Sequence, residues 1–482
     1  MNIRLVLAMT GLILMLMGLS MLFPAMLCFL SEDSDWPVFG ILGMSGMIAG
    51  IMLYLREGIR EEDVRPKEAY LMVAAAWVTA SVYGAAPYLA TGVMDGFADA
   101  FFESVSGFTT TGATVLSDIE ALSQGILLWR AMTHWLGGLG IISLFVALMS
   151  FLGQGGQQVF LRETTGPLKE KLAPKVKETA WILWRIYIIM TVAEVLLLHL
   201  FGMDWFDAVC HAFSTVATGG FSTKNASVGY YANPGVHWVV IAFMFLGGVN
   251  FTLFFHAFQK RSLTVFWKNG EFRLYTVILG AAALIIGVYL WAAGLEFPAA
   301  LREAAFHAVS VMTTTGFVTQ DFNLWAPAVQ MILLMMMLVG GSSGSTAGGM
   351  KVGRVQLLFT QTRLEMRQSL HTRAVLSAKV DQKPVSHETM LRVLTFIALY
   401  GLTVALGTLI MSLFDMDLVS AVTAVVTCVA NAGPGLNRVG PTQNFSFVPD
   451  LGKYILSFIM LLGRLELYTI LVLFTPDFWS KK

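Results

Sequence analysis

The sequence predicts an all-α membrane protein: four pseudo-repeated helix–loop–helix units around one central lumen, plus an extra N-terminal helix pair. Three observations lead there. Hydrophobic residues make up 56% of the 482 and charged residues only 13%, against roughly 25% charged in ordinary soluble domains. Apolar runs recur along the whole chain, and several reach the roughly 20 residues needed to cross a bilayer core of about 30 Å. Between the long runs lie four shorter apolar stretches, each followed by a small or polar tripeptide that ends in glycine.

The first run places Arg4 ahead of an apolar stretch, as a secretory signal does. A signal's apolar core spans about 7 to 15 residues, whereas this run continues to an acidic turn at Glu32, Asp33 and Asp35. It reads as a retained helix, and with the next run it forms the N-terminal pair, 3 to 29 and 38 to 55. Further spans are predicted over 69 to 90, 128 to 151, 180 to 201, 236 to 258, 272 to 294, 325 to 360 (interrupted), 389 to 413 and 451 to 475. The expected organisation is an N-terminal pair over 1–67 and units over 68–155, 156–262, 263–375 and 376–482. Cys28, Cys210 and Cys428 lie in or beside apolar segments without metal-ligand spacing and read as packing residues. Formal net charge is zero, and basic residues are spread over several loops rather than one patch, which argues against a nucleic-acid partner.

Loop charge predicts orientation. The loops at 56 to 68, 152 to 180, 259 to 273 and 361 to 388 hold most of the basic residues, while the opposite loops hold Arg130, Lys224, Arg302, Arg438 and Lys453. Excess Lys and Arg marks the cytoplasmic side, so both termini are expected there. The two long basic loops, 152 to 180 and 361 to 388, are also the natural docking surface for a cytosolic regulator.

The four short stretches share one grammar. An acidic residue (Asp99, Asp207, Glu303, Asp417) precedes or opens about three turns of apolar, small and aromatic residues. Then follow Thr110, Thr111 and Gly112 in the first unit, and Thr218, Gly219 and Gly220 in the second. The third has Thr314, Thr315 and Gly316, and the fourth Asn431, Ala432 and Gly433. Each unit reads as helix, re-entrant loop, helix. Non-helical backbone at membrane depth survives only where protein buries it or it lines a water-filled cavity, so four such loops need a shared lumen. Backbone carbonyls can replace a cation's hydration shell in a narrow pore, glycine permits the positive φ this requires, and each short helix aims its partially negative C-terminus at the cation. The fourth loop lacks threonine in its core and is stiffened by Pro434, so the side-chain environment on that side is expected to differ from the other three.

With FTTTGAT at 108 to 114, ATGGFST at 217 to 223, TTTGF at 313 to 317 and ANAGPG at 430 to 435, the chain resembles the Trk/Ktr/HKT superfamily of potassium transporters over nearly its whole length. The extra N-terminal helix pair is similar to the TrkH-type family within it. The resemblance implies potassium as the ion held at the twelve loop residues just named, no enzymatic activity and no organic cofactor in this chain. It also implies a homodimer in the bacterial cell inner membrane, gated by a cytosolic nucleotide-binding ring protein of the TrkA type. Sodium-preferring plant relatives carry serine where Gly112 stands. The loops lack the fuller TVGYG signature, which predicts modest discrimination against sodium.

The third unit's second helix is interrupted by the ten residues 340 to 349, five of them glycine and four Ser or Thr. At roughly 1 kcal/mol per glycine relative to alanine, the span is expected to unwind. In the family this segment is a gating loop beneath the filter. Its candidate residues are Gly340, Gly341, Gly344, Gly348, Gly349 and Lys351, and close packing through small residues is the alternative reading. In the last span, Arg464 and Glu466 fall mid-helix, where an arginine costs about 2.5 to 3.5 kcal/mol. The resemblance makes Arg464 a gating element, with a salt bridge to Glu466 or a neighbour as the bland reading. His134, His199, His211, His256 and His307 share no spacing and read as packing or interfacial residues. A secondary transporter with broken helices, ion-coupled potassium symport and a less selective cation pathway are competing functions; repeat number, four loops rather than two halves, disfavours the first. A membrane enzyme is disfavoured because no Ser/His, Cys/His or HExxH arrangement is found.

Overall fold

The computed structural model describes residues 3–57, 66–138, 140, 176–371, 377–381 and 383–480. Helices α1 (Ile3–Leu30) and α2 (Trp36–Glu57) form the N-terminal pair. The first unit follows with α3 (Pro66–Gly84), the short α4 (Ala86–Ala90), α5 (Phe97–Phe108) and α6 (Gln124–Gly138). The second has α7 (Val176–Leu200), α8 (Trp205–Val216), α9 (Pro234–Gly247) and α10 (Phe251–Lys260). A single turn, α11 (Thr264–Lys268), leads to the third, with α12 (Gly270–Ala292), α13 (Phe297–Met312), α14 (Pro327–Val339) and α15 (Val352–Leu370). A two-stranded antiparallel hairpin, β1 (Lys379–Val380) and β2 (Lys383–Pro384), precedes the fourth, with α16 (His387–Ser412), α17 (Leu418–Ala430), α18 (Asp450–Arg464) and α19 (Tyr468–Leu471).

Among the described residues six helices are long and apolar enough to cross a membrane, and two further helix pairs pass that test but are sharply bent. Phe23, Phe29, Ile41, Met52, Leu200 and Leu284 are examples of large apolar side chains left outside on these spans, as expected where lipid replaces water as the solvent. Inside, one cluster of buried side chains joins the N-terminal pair to the first and fourth units, and another joins the second and third.

Two predicted spans are not continuous. The run at 236 to 258 is α9 and α10, bent by 91°, and the run at 451 to 475 breaks after Arg464 with a bend of 111°. Arg464 and Glu466 therefore stand at a break, not in mid-helix. The predicted span 128 to 151 is helical to Gly138, and most of its remainder, with most of the basic loop at 152 to 180, lies outside the described residues. The interruption in the third unit is thus not an exception. Helices α6, α9, α14 and α18 stop at Leu136-Gly137-Gly138, Leu246-Gly247-Gly248, Val339-Gly340-Gly341 and Leu462-Gly463-Arg464. Close approach accompanies the first and fourth of these stops: a Cβ on Gly137 would fall within 3.0 Å of Phe108 O, and one on Gly463 within 3.0 Å of Val429 O. In those two units the end of the short helix presses against the helix that follows it. Charge placement also needs correction, since Arg130, Arg302 and Lys453 lie on α6, α13 and α18 rather than in loops.

Gly137→Ala is expected to cost about 1–3 kcal/mol through overpacking. Melting of the purified protein in detergent reads this directly, and an unchanged midpoint would mean that the two backbones are not in fixed contact.

Candidate functional site

Helices α5, α8, α13 and α17 carry the four loops. Asp417 caps α17 by accepting from Ser420 N (3.1 Å), but the other acidic residues do more than complement a helix dipole. Asp207 accepts from Thr223 Oγ1 (2.6 Å) and Tyr231 OH (2.6 Å) and pairs with Lys224 (3.2 Å). Glu303 accepts from Thr319 Oγ1, and Asp99 pairs with Lys453 of the fourth unit (2.6 Å). Asp207 and Glu303 thereby tie the chain leaving their loops back to the short helix that entered them. His211 and His307 brace the same junctions: each donates from Nδ1 to the carbonyl one turn back, Asp207 O (2.8 Å) and Glu303 O (2.9 Å).

The backbone hydrogen bonds at the helix ends repeat residue for residue. Thr110, Thr218, Thr314 and Asn431 donate their N–H to Gly107, Thr215, Val311 and Cys428 O at 2.9–3.3 Å. Thr111, Gly219, Thr315 and Ala432 donate to Ser106, Ser214, Ser310 and Thr427 O at 2.8–2.9 Å. The N–H groups are thus satisfied within each unit, leaving the loop carbonyls available. Thr110, Thr218, Thr314 and Asn431 have φ of 54–57°, and Gly112, Gly220, Gly316 and Gly433 have φ of 78–87°, so left-handed residues recur at every second position.

The four loops close into one ring. A Cβ on Gly112 would fall within 3.0 Å of Gly219 O, on Gly220 of Thr315 O, on Gly316 of Ala432 O, and on Gly433 of Thr111 O. One carbonyl from each unit therefore lies against the glycine of its neighbour, in the order first, second, third, fourth, first. Glycine is required twice over, for its φ and because the neighbour's oxygen occupies the space of a side chain. All twelve loop residues named from the sequence are brought together here.

The threonine pairs around this ring have twofold symmetry, while the fourth loop differs from the other three in carrying Asn431 where they have Thr110, Thr218 and Thr314. In the first unit Thr109 and Thr111 hydroxyls lie 2.8 Å apart, and in the third Thr313 and Thr315 do the same. The second and fourth units carry Ala217 with Gly219 and Ala430 with Ala432 at these places. Braced and unbraced loops alternate. Asn431 partly replaces the missing brace by donating to Thr111 Oγ1 (3.0 Å) and Met460 O (3.0 Å).

On one side of the ring is a cavity of about 170 Å³, lined by Gly112, Gly220, Gly316 and Gly433 together with Ala113, Phe221, Val318 and Pro434. A collar of bonds surrounds this mouth. Ile119 N donates to Asn225 Oδ1 (2.7 Å) and Asn437 N to Asn323 Oδ1 (3.0 Å), while Gly229 N donates to Val318 O (3.1 Å) and Phe445 N to Thr114 O (2.8 Å). Beneath it sits a pair not foreseen from the sequence, Arg130 and Glu103, with N–O separation 2.9 Å and both side chains buried. Glu103 also accepts from Thr114 Oγ1 (2.9 Å) and Val115 N (3.0 Å), and Arg130 donates to Ser222 O (3.3 Å) across to the second unit. The available signal was a charge at membrane depth on each of two adjacent apolar helices.

On the other side lies the 340 to 349 segment, non-helical as expected, with left-handed Gly340, Gly344 and Gly349. Gly348 N donates to Thr314 Oγ1 (2.7 Å) and Gly349 N to Ala430 O (3.0 Å). Ser342 N donates to Gly248 O (2.9 Å), and the Thr346 hydroxyl lies 3.0 Å from Val216 O and 3.1 Å from Gly247 O. The unforeseen break between α9 and α10 thus supplies carbonyls that receive this segment, and Val352 N returns to Gly341 O (2.9 Å) and closes it. Lys351 is buried, with left-handed backbone, and donates from Nζ to Ala347 O. Arg464 links the segment to the first unit: it donates to Thr346 O (2.9 Å), Gly137 O (2.5 Å) and Gly138 O (2.9 Å). Glu466 pairs with Arg354 (2.7 Å), whose guanidinium covers the Phe396 ring.

A family model described as "TrkH: Cation transport protein" matches residues 38–481. The chain is 38% identical to the Trk system potassium uptake protein TrkH of Halomonas elongata and 37% identical to that of Escherichia coli, with 100% of each chain covered in both comparisons. It is 33% identical to the TrkG protein of Escherichia coli, covering 99% of each. The crystal structure of the potassium transporter TrkH from Vibrio parahaemolyticus superposes with a TM-score of 0.90 at 35% identity, covering 100% of both chains.

Arg130→Ala is expected to cost about 3–5 kcal/mol by leaving Glu103 buried without its partner. The double variant Arg130→Met with Glu103→Leu should lose less than the sum of the two single variants in detergent melting; a loss equal to that sum would show that the pair is not coupled.

Proposed function

The chain belongs to the TrkH family of cation transport proteins, and from that premise we propose that it takes up potassium across the bacterial inner membrane. The ion passes the ring that contains Thr111, Gly219, Thr315 and Ala432, with Thr110, Thr218, Thr314, Asn431 and the four glycines completing the filter. The observation that carries this reading is the closed ring itself, one carbonyl per unit placed against the neighbouring glycine, since such oxygens can replace a hydration shell without adding fixed charge. Units over 68–155, 156–262, 263–375 and 376–482 each contribute one side, after the N-terminal pair over 1–67.

The glycine-rich segment is the gate in this reading. It occupies the position directly beneath the filter, and Arg464 holds it to the first unit while placing positive charge under the ring. The partner that moves it is a cytosolic nucleotide-binding ring protein of the TrkA type, acting on a homodimer whose termini and basic loops face the cytoplasm. A Trk-system role is what the relatives' names describe, and the excess of Lys and Arg in the 361 to 388 loop supports the orientation.

Flux of a potassium surrogate, rubidium, into liposomes holding the purified protein tests the reading. Uptake that follows the potassium gradient and yields unitary currents supports it, and a strict proton or sodium requirement without such currents would contradict it. In the same assay Arg464→Ala should raise partner-independent flux several-fold; unchanged flux and unchanged dependence on the partner would remove the gating role. Gly112→Ser should lower the preference for potassium over sodium, read as a shift in reversal potential, because its Cβ meets Gly219 O.

A further inference from the structure

The glycine-rich segment is held at its far side by a residue outside the filter and outside every motif described above. Glu271, in the first turn of α12, accepts from Ser343 N (2.6 Å) and from Gly353 N (2.8 Å) through the same oxygen, Oε1. Ser343 lies near the start of the segment and Gly353 just beyond its end. One carboxylate oxygen therefore pins the two limbs of the loop together and to α12. Charge-assisted bonds of this kind are about twice as strong as neutral ones.

The residue next to it in sequence is tied to the β-hairpin. Gly270 N donates to Asp381 Oδ2 (3.0 Å), and Arg273 approaches Asp381 Oδ1 (3.6 Å). Asp381 sits at the turn of that hairpin, partly exposed, between strands that pack on α15 and α16 through Val380, Leu357, Met390 and Val393. A short path of direct bonds thus leads from a surface hairpin, through two consecutive residues at the start of α12, to the loop beneath the ring.

We propose that Glu271 is the positioning residue that sets the resting place of the 340 to 349 loop, and that the Asp381 hairpin is the lever through which a cytosolic partner shifts it. This rests on the reading of that loop as the gate. Displacing the hairpin pulls on Gly270 and Arg273, moves the N-terminus of α12, and takes the Glu271 carboxylate away from Ser343 and Gly353. Two bonds at the two ends of the loop are lost together, which suits a two-position element better than a gradual one.

The test uses the full chain in liposomes with Ser345→Cys as reporter. The three native cysteines are buried, so a water-soluble thiol reagent reads the loop. Glu271→Gln keeps the shape and removes the charge. It is expected to raise both the labelling rate at position 345 and the partner-free rubidium flux by about tenfold, the ratio for exchanging a charged for a neutral hydrogen bond. Asp381→Ala, on the surface and harmless to the core, should change both in the same direction and add nothing to Glu271→Gln in the double variant. Labelling unchanged in Glu271→Gln would overturn the inference, and additive effects in the double would overturn the hairpin link. Labelling that rises while flux stays constant would support Glu271's hold on the loop and remove the gating reading instead.

Discussion

Backbone that is neither helix nor closed barrel has no solvent inside a bilayer, so each of its N–H and C=O groups needs a partner within the protein. The architecture is organised around meeting that demand four times. Each short helix receives the N–H groups of its own loop at fixed spacing, and this leaves carbonyls without an internal donor. Bringing four loops together places those carbonyls on one ring. In the first and fourth units the short helix then presses against the helix that follows it, which is why Gly137 and Gly463 leave no room for a side chain.

The stops create the same demand again, one level lower. A helix that ends inside the protein leaves carbonyls unpaired, and those of Gly137, Gly138, Gly247 and Gly248 are the ones that receive Arg464 and the glycine-rich loop. The third unit donates its loop and the fourth donates an arginine where the other units have a second glycine. The pieces that break the fourfold pattern are therefore the ones that satisfy it. Arg464 gains carbonyl partners at a helix C-terminus, where positive charge is favoured, and this offsets part of the cost of its depth in the membrane.

The fourfold backbone and the twofold threonine pairs have different origins. Hydrogen-bond closure at the end of each short helix constrains every loop alike, whereas the threonine brace lies within a single loop and is present in the first and third units. Asn431 differs, since its amide reaches Thr111 of the first unit and so braces two loops at once.

Much of this was legible in the sequence because glycine carries its own physical signature. The ring loops are legible through Gly112, Gly220, Gly316 and Gly433, and the third-unit loop through five glycines in ten residues. The glycine pairs at 137, 247 and 340 were equally visible, yet the apolar runs around them satisfy a span-length criterion, and continuous helices were expected at 236 to 258 and 451 to 475. What the sequence by itself determined is therefore the membrane environment, the number of loops and the places where the backbone leaves the helix, all of which follow from composition and local conformational freedom. Only the tertiary structure decided the order of the ring, the alternation of braced and bare loops, and the partners of Arg464, Glu103 and Glu271. Those partners are backbone groups or residues far away in the chain, and a carbonyl oxygen is the same at every position until the fold has chosen its neighbour.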